Sequence, residues 1–216
     1  PFKRAMKDVE TYCKFKGLNS GLVEMAFDTF IDVCSEWLAD GLAFPTIVAT
    51  GAHGSSPHAQ PGDAVIQLGD AIVLDFGARK GGYCSDMTRT FLQHGNPEIE
   101  KIYDIVREAN ESAEKAIRAG MPLKDVDKVA RDIISEAGYG PYFTHRLGHG
   151  IGIEVHEPYD VSSSDEVTVK EGMCFSCEPG IYLRDVGGVR IEDLVMIVNG
   201  KAEVINHYPK EREYID

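Results

Sequence analysis

Two aspartates stand out, because each lies in a segment whose composition otherwise predicts a β-strand. Asp75 lies near the end of the apolar run of residues 70–76, and Asp86 lies within residues 83–91. Aspartate is depleted from strands. The sequence Lys80-Gly81-Gly82 between the two runs predicts a hairpin turn. If Lys80 and Gly81 form the turn, the two aspartate carboxylates lie directly opposite each other. If Gly81 and Gly82 form it, the carboxylates are diagonal neighbours on one face of the sheet. Like charges so placed destabilise a sheet, and a divalent cation is the simplest compensation.

The same pattern recurs near the C-terminus with two glutamates. Glu178 ends the strand-like run of residues 174–178, and Glu192 lies inside the run of residues 189–195. An even number of positions separates them, so a hairpin centred on Asp185 puts both side chains on one face of the sheet. Either acidic pair alone could instead protect a sheet edge. Two such pairs in a chain that also has a histidine cluster favour a metal site.

The histidine cluster occupies residues 145–157, whose sequence is H-R-L-G-H-G-I-G-I-E-V-H-E. His145 and His149 are four residues apart and could share a helical face, as in H-x-x-x-H metal sites. The three alternating glycines of the segment favour an extended, closely packed backbone instead. His156 follows at the end of this segment.

The cysteines and the net charge limit the other classes of function. Cys174 and Cys177 are spaced as C-x-x-C, but positions three apart in a strand face opposite sides, which disfavours a zinc or redox role. Five cysteines without a disulfide rhythm indicate a reducing compartment, and we expect a cytoplasmic protein. The net charge of −13 disfavours nucleic acid and anionic membranes as partners. No apolar stretch approaches the length of a membrane span.

Helical and strand-like segments alternate along the chain. The residues up to about Gly41 have helical periodicity. A helical hairpin is predicted next, with Asn96 as N-cap and Pro97 in the first turn, closed by Gly120 and Gly138. Strand-like sequence then returns in residues 144–157, 174–183 and 189–198. Helices followed by strand pairs, repeated once, predict two similar α+β halves within a single domain.

These residues and their flanking motifs resemble the creatinase/aminopeptidase P/prolidase family of pita-bread metallopeptidases. The resemblance is carried by Asp75, Asp86, His149 in H-R-L-G-H-G, Glu178 in C-E-P-G-I-Y and Glu192 in G-V-R-I-E-D. It covers nearly the whole chain. It implies an α+β pita-bread fold, with two pseudo-symmetric halves and a curved antiparallel sheet covered by helices. We therefore expect residues 1–216 to be one metallopeptidase catalytic domain, without the N-terminal domain that the family usually carries.

The resemblance also implies roles for individual residues. Asp75 would hold one metal ion, His149 and Glu178 the other, and Asp86 and Glu192 would bridge the two. Glu178 would in addition shuttle a proton during catalysis. Four further residues would bind the substrate: His58 in S-P-H, His145, His156 and Arg190. His58 and His156 would also act in catalysis. Without the resemblance, the three histidines could equally be packed or surface side chains.

The implied reaction is removal of the N-terminal residue from Xaa-Pro peptides, as in an aminopeptidase P or an Xaa-Pro dipeptidase. A metal-bridging hydroxide would be the nucleophile, with two divalent ions per chain. Manganese is the first choice, on the family resemblance, and cobalt, iron or zinc remain open. The alternatives are a methionine aminopeptidase-like enzyme and a non-catalytic peptide-binding module of the same fold. The expected partner is a proline-containing peptide, and a homodimer is compatible with the family.

Overall fold

The computed structural model describes residues 39–57, 59 and 63–215 of the 216-residue chain. The helical segment predicted at the start of the chain lies almost wholly outside these residues, and so does His58. The helical periodicity up to about Gly41 therefore stays a prediction. Gly41 itself begins the short strand β1 (Gly41–Leu42), which pairs with Ala78 and Arg79.

The first half of the described chain consists of two small antiparallel sheets joined by one long hairpin. Its turn lies at Gly81 and Gly82, whose φ angles of 59° and 86° suit glycine in a two-residue hairpin loop. The sheets have the strand orders β2-β3-β6 and β1-β4-β5. The strands are β2 (Ile47–Thr50), β3 (Ala71–Phe76), β4 (Ala78–Lys80), β5 (Tyr83–Cys84) and β6 (Met87–Leu92).

The register of this hairpin decides between the two predicted arrangements of the aspartates. Asp75 pairs with Thr88, and Lys80 pairs with Tyr83. The turn at the two glycines is therefore confirmed, and direct opposition of Asp75 and Asp86 is wrong. Asp86 lies two positions from Thr88, so the carboxylates are diagonal neighbours on one face.

The predicted helical hairpin is confirmed as α1 (Pro97–Ala116) and α2 (Leu123–Glu136). Asn96 caps α1, because its side chain accepts a hydrogen bond from the backbone N–H of Ile99 at 3.3 Å. Gly120 and Gly138, which follow the two helices, have φ angles of 90° and 89°. The apolar stripe of α1 is buried at Ile99, Ile102, Val106, Ala109 and Ala113, in the main core of the protein.

The second half is a five-stranded antiparallel sheet in the order β13-β12-β9-β7-β8, with β10 and β11 as a hairpin beside it. Gly180 pairs with Arg190, and Cys177 pairs with Asp193, so one register centred on Asp185 runs through both. The predicted even-spaced hairpin is confirmed. The strands are β7 (Gly148–Gly150), β8 (Glu157–Val161), β9 (Cys174–Cys177), β10 (Gly180–Leu183), β11 (Gly187–Arg190), β12 (Asp193–Val198) and β13 (Lys201–Val204).

The strand predicted over residues 144–157 is broken in the middle. Only β7 and the start of β8 are extended there, and residues 151–156 form a loop. The Glu157 carboxylate holds this loop by accepting the backbone N–H groups of Ile153 (2.7 Å) and Glu154 (3.3 Å). These bonds replace the strand ladder, and the loop carries the His156 side chain to the cleft.

The two halves meet where β6 crosses the short break between β11 and β12. Thr88 and Glu192 form an isolated antiparallel bridge there. Arg89, which is 2% exposed, donates to the carbonyl of Glu192 at 2.6 Å and to the Asp193 carboxylate at 2.7 Å. Lys210 reaches the same carboxylate at 2.7 Å. This junction places the carboxylates of the first half beside those of the second.

Candidate metal centre

All five predicted metal ligands line one cleft between the halves, with a cavity volume of about 620 Å³. Ligand atoms of Asp86, His149 and Glu192 lie within 4.8 Å of one another. Glu178 Oε1 is 3.4 Å from His149 Nε2, and Asp75 lies beside Asp86 on the first hairpin. The residues come from breaks and ends of strands in both halves, so the cleft exists only when the halves are packed together.

The donor set fits divalent cations. Asp86 and Glu192 are 4% and 2% exposed. Asp75 Oδ1 and Asp86 Oδ1 are buried and accept no hydrogen bond from the described residues. A buried carboxylate oxygen without a donor costs free energy that a cation would recover. Four carboxylates with one imidazole form an oxygen-rich set, which suits manganese, cobalt or iron at least as well as zinc.

Burial in the metal-free cleft raises the pKa values of three of its acids, Asp86, Glu178 and Glu192. Burial, reinforced by Asp75 and Glu178, raises the pKa of Asp86 well above its usual value. Burial and the charge of Asp86 do the same to the pKa of Glu192. Burial raises the pKa of Glu178 to about 7 and lowers that of His149 to about 4. Bound cations would reverse this preference and hold the carboxylates ionised.

We expect the metal-free protein to lose stability through Glu178 as the pH rises from about 4.5 to about 7. In the unfolded chain this carboxyl ionises near 4.5, whereas the folded protein holds its proton until about 7. The stabilisation is therefore complete below 4.5 and is lost as the pH rises through the folded pKa. Melting temperatures in EDTA, measured for the wild type and for Glu178→Gln, isolate this effect because the amide does not titrate. A difference between the two proteins that stays constant from pH 4.5 to 7 would contradict the expectation.

His149 is oriented by the strand that carries it. A Cβ at the neighbouring Gly148 would lie 1.9 Å from the carbonyl oxygen of Ser176, so only glycine allows this close packing. His149 Nδ1 donates to the carbonyl of Gly150 at 3.1 Å, which leaves Nε2 with a lone pair. Nε2 faces the carboxylates of Glu178 and Asp86, at 3.4 and 3.8 Å. The extended backbone confirms one of the two conformations considered for this segment, and the bond from Nδ1 is typical of a metal-ligating imidazole.

Arg190 lies in the cleft and is 3% exposed. Its guanidinium donates to Asp75 Oδ2 at 2.6 Å, to Thr88 Oγ1 at 3.1 Å and to the carbonyl of Pro57 at 3.2 Å. Thr88 Oγ1 in turn donates to Glu192 Oε2 at 2.6 Å. Arg190 therefore neutralises one carboxylate and, through Thr88, orients another.

His145 belongs to a hydrogen-bonded chain on the cleft wall. Its Nδ1 donates to the carbonyl of Arg146 at 2.7 Å, so the neutral ring accepts at Nε2. Tyr182 Oη is 2.9 Å from this Nε2 and donates to it, while accepting from Arg190 at 3.0 Å. The tautomer of His145 thus follows from its partners.

His156 is exposed on the loop between β7 and β8. Its ring packs edge-on against that of His149, with centroids 4.3 Å apart, at the mouth of the cleft. His58 lies outside the described residues, although the adjacent Pro57 lines the cavity. The C-x-x-C pair plays no part in the cleft, because Cys177 is fully buried in the main core.

Three residues of the site were not predicted from the sequence. Thr88 and Ser176 each lie two positions from a predicted ligand and hence on the same face, a spacing that could have revealed them. Ser176 Oγ donates to Glu178 Oε1 at 3.0 Å and accepts the His149 N–H at 3.0 Å. Tyr182 stands at the end of the C-E-P-G-I-Y motif, four positions from Glu178, but its link to His145 depends on how distant segments pack.

A cleft that brings four carboxylates and one imidazole together between the two halves of the described chain is typical of a metal-dependent protein. The protein-family model of metallopeptidase family M24 matches residues 2–199. The chain belongs to metallopeptidase family M24. An uncharacterised peptidase of Staphylococcus haemolyticus is 49% identical over 171 residues, which cover 78% of this chain and 48% of that protein.

Solved structures share the fold over almost the whole chain. A dipeptidase from Pyrococcus horikoshii gives a TM-score of 0.92 at 42% identity, covering 98% of this chain and 58% of its own. A prolidase from Thermococcus sibiricus gives a TM-score of 0.90 at 39% identity, and the match covers 98% of this chain and 58% of the prolidase. An X-Pro aminopeptidase from Thermotoga maritima gives a TM-score of 0.91 at 36% identity, and the match covers 99% of this chain and 60% of the aminopeptidase. The predicted α+β pita-bread fold is therefore confirmed.

The chain spans about half the length of the curated relatives it matches. Neither of the long helices in the described ranges combines the length and the apolar character that crossing a membrane requires.

Proposed function

We propose that this chain is the catalytic domain, over residues 1–216, of a peptidase that removes the N-terminal residue from Xaa-Pro peptides with two divalent metal ions. One observation carries the proposal. Four carboxylates and one imidazole converge on a single cleft, and two of the carboxylate oxygens there are buried without a donor. The relatives support the substrate class, because the solved structures named above include a prolidase and an X-Pro aminopeptidase.

The metal ions would be held by the two hairpin carboxylate pairs and the imidazole. Asp75 would hold one ion, His149 and Glu178 would hold the other, and Asp86 and Glu192 would contribute to both. When bound, divalent ions polarise the carbonyl of the scissile bond and lower the pKa of the attacking water. Manganese is our proposed metal, since the oxygen-rich set accommodates it and the family resemblance favours it.

The residues of the chain then bind the substrate and move its protons. Glu178 takes a proton from the attacking water and delivers it to the leaving proline nitrogen. This nitrogen belongs to a tertiary amide and cannot leave without that proton. Ser176 keeps one oxygen of that carboxylate fixed. His156 and His58 stabilise the oxyanion, and His145 and Arg190 complete the polar wall of the binding cleft.

The lining of the cleft also includes four apolar residues, Phe44, Pro45, Ile47 and Val155. A pyrrolidine ring could contact such side chains without burying an unpaired polar group, because the proline nitrogen has no hydrogen to satisfy. We expect the manganese-loaded protein to cleave Xaa-Pro substrates about 10–200-fold better, in kcat/KM, than Xaa-Ala substrates of the same length, which is the discrimination that a hydrophobic pocket achieves for a single methylene.

The measurement compares an Xaa-Pro dipeptide, an Xaa-Pro-Yaa tripeptide, the matching Xaa-Ala peptides and Met-Ala-Ser. The ratio of dipeptide to tripeptide rates separates a dipeptidase from an aminopeptidase P. Cleavage of Met-Ala-Ser alone would assign a methionine aminopeptidase-like activity. The absence of both peptide turnover and metal uptake would favour a non-catalytic peptide-binding module.

A further inference from the structure

The segment after β13 passes behind the metal cleft and contacts both halves of the molecule. The carbonyls of Tyr208 and Pro209 accept hydrogen bonds from Arg89 at 2.8 and 3.1 Å. Ile215 N–H donates to the carbonyl of Leu92 at 2.9 Å. These contacts fix the path of residues 205–215, which we call the C-terminal strap.

Asn206, a residue of the strap, contacts the backbone of a proposed metal ligand directly. Its Oδ1 accepts the backbone N–H of Leu194 at 2.6 Å. Its Nδ2 donates to the backbone carbonyl of Asp86 at 3.1 Å. One amide group therefore ties the strand that follows Glu192 to the backbone of Asp86. The orientation of the amide is unique, since a carbonyl can only accept and an N–H can only donate.

Both shared carboxylates lie where the strand ladders are interrupted. Asp86 falls between the end of β5 at Cys84 and the start of β6 at Met87, and Glu192 falls between β11 and β12. The regular ladder therefore does not hold these two backbones. Glu192 is fixed by its bridge to Thr88 and by Arg89. The carbonyl of Asp86 is fixed by Asn206.

We propose that Asn206 is a positioning residue, which sets the distance between the Asp86 and Glu192 carboxylates and thereby the affinity for the metal ions that they share. The inference rests on the proposed dinuclear function. A carboxylate that bridges two ions must reach both at once, so freedom of the Asp86 backbone weakens binding even though the ligand itself is intact. Residues that orient metal ligands typically contribute about 10–100-fold in affinity.

The test titrates metal-stripped, full-length protein with Mn²⁺ by calorimetry, for the wild type, Asn206→Ala and Asn206→Asp. Aspartate keeps the acceptor for Leu194 N–H but loses the donor to the Asp86 carbonyl. Asn206→Asp also adds a negative charge, which by simple electrostatics would tighten cation binding. Loss of positioning would instead weaken it. We expect both variants to bind at least one of two ions about 10–100-fold more weakly than the wild type.

The matched control is Tyr208→Phe, which removes a hydrogen bond to Glu213 within the same strap and leaves Asn206 in place. It should bind manganese as the wild type does, and the metal-free melting temperatures show whether the variants remain folded. Wild-type affinity in Asn206→Asp, or equal weakening in Tyr208→Phe, would overturn the proposal while leaving the dinuclear function intact. A wild type that binds no manganese would overturn both.

Discussion

Replacement of Glu178 by glutamine should lower kcat/KM on Xaa-Pro substrates by about 10²–10⁴-fold, the range for loss of a general acid–base group. The amide cannot accept the proton of the attacking water or return it to the leaving nitrogen. The fold should survive, because glutamine Oε1 can still accept the Ser176 hydroxyl, which lies 3.0 Å from Glu178 Oε1. Removal of one buried carboxylate also relieves repulsion with Asp86.

Steady-state kinetics with saturating Mn²⁺ would measure this effect, together with the metal content of the variant. Glu203→Gln is a suitable control, because Glu203 is exposed on β13, away from the cleft. The control should keep wild-type kinetics. Wild-type kcat/KM in Glu178→Gln would remove Glu178 from the mechanism, whereas lost activity with only one bound metal ion would assign it the role of ligand alone.

The second large effect is expected for Arg190→Met in the metal-free protein. Methionine leaves the carboxylate of Asp75 buried without its cationic partner and removes a donor from Thr88. Loss of one partner from a buried ion pair typically costs about 3–5 kcal/mol of folding free energy. We expect manganese to recover much of this loss, because a bound cation would replace the guanidinium beside Asp75.

Urea unfolding in EDTA measures the free energy of unfolding of the metal-free protein, and urea unfolding in Mn²⁺ measures that of the manganese-bound protein. Arg212→Met provides the comparison, since Arg212 pairs with Asp104 and Glu100 on the outside of α1. That variant should lose about 1 kcal/mol or less, with or without metal, as partly exposed pairs do. An equal loss for Arg190→Met in EDTA and in Mn²⁺ would show that the arginine stabilises the fold independently of the metal site.

Local patterns were enough to predict the acidic pairs and the elements that carry them. Asp75 and Glu178 violate strand composition, and the turn residues between the runs limit the register to two choices. The first helix of the hairpin was equally accessible, because Asn96 and Pro97 give its start and Gly120 its end. Such features depend on neighbours within about ten residues, which is why the sequence alone reveals them.

Contacts across the chain could not be predicted in this way. Thr88 meets Glu192 at a separation of 104 residues, and Asn206 meets Asp86 at a separation of 120. No local periodicity encodes either contact. The break at residues 151–156 was missed although its cause is local, because the capping of the loop by the Glu157 side chain leaves no mark on strand periodicity.

Asn206 follows every proposed metal ligand in the sequence, and this order has a consequence for biosynthesis. A nascent polypeptide exposes Asp75 and Asp86 early, and both must wait for partners that are translated more than sixty residues later. When Glu192 has emerged, the strap is still missing, so a chain that stops between Glu192 and Asn206 would carry every metal ligand and still lack the amide that aligns them. Metal acquisition would thereby depend on translation of the strap.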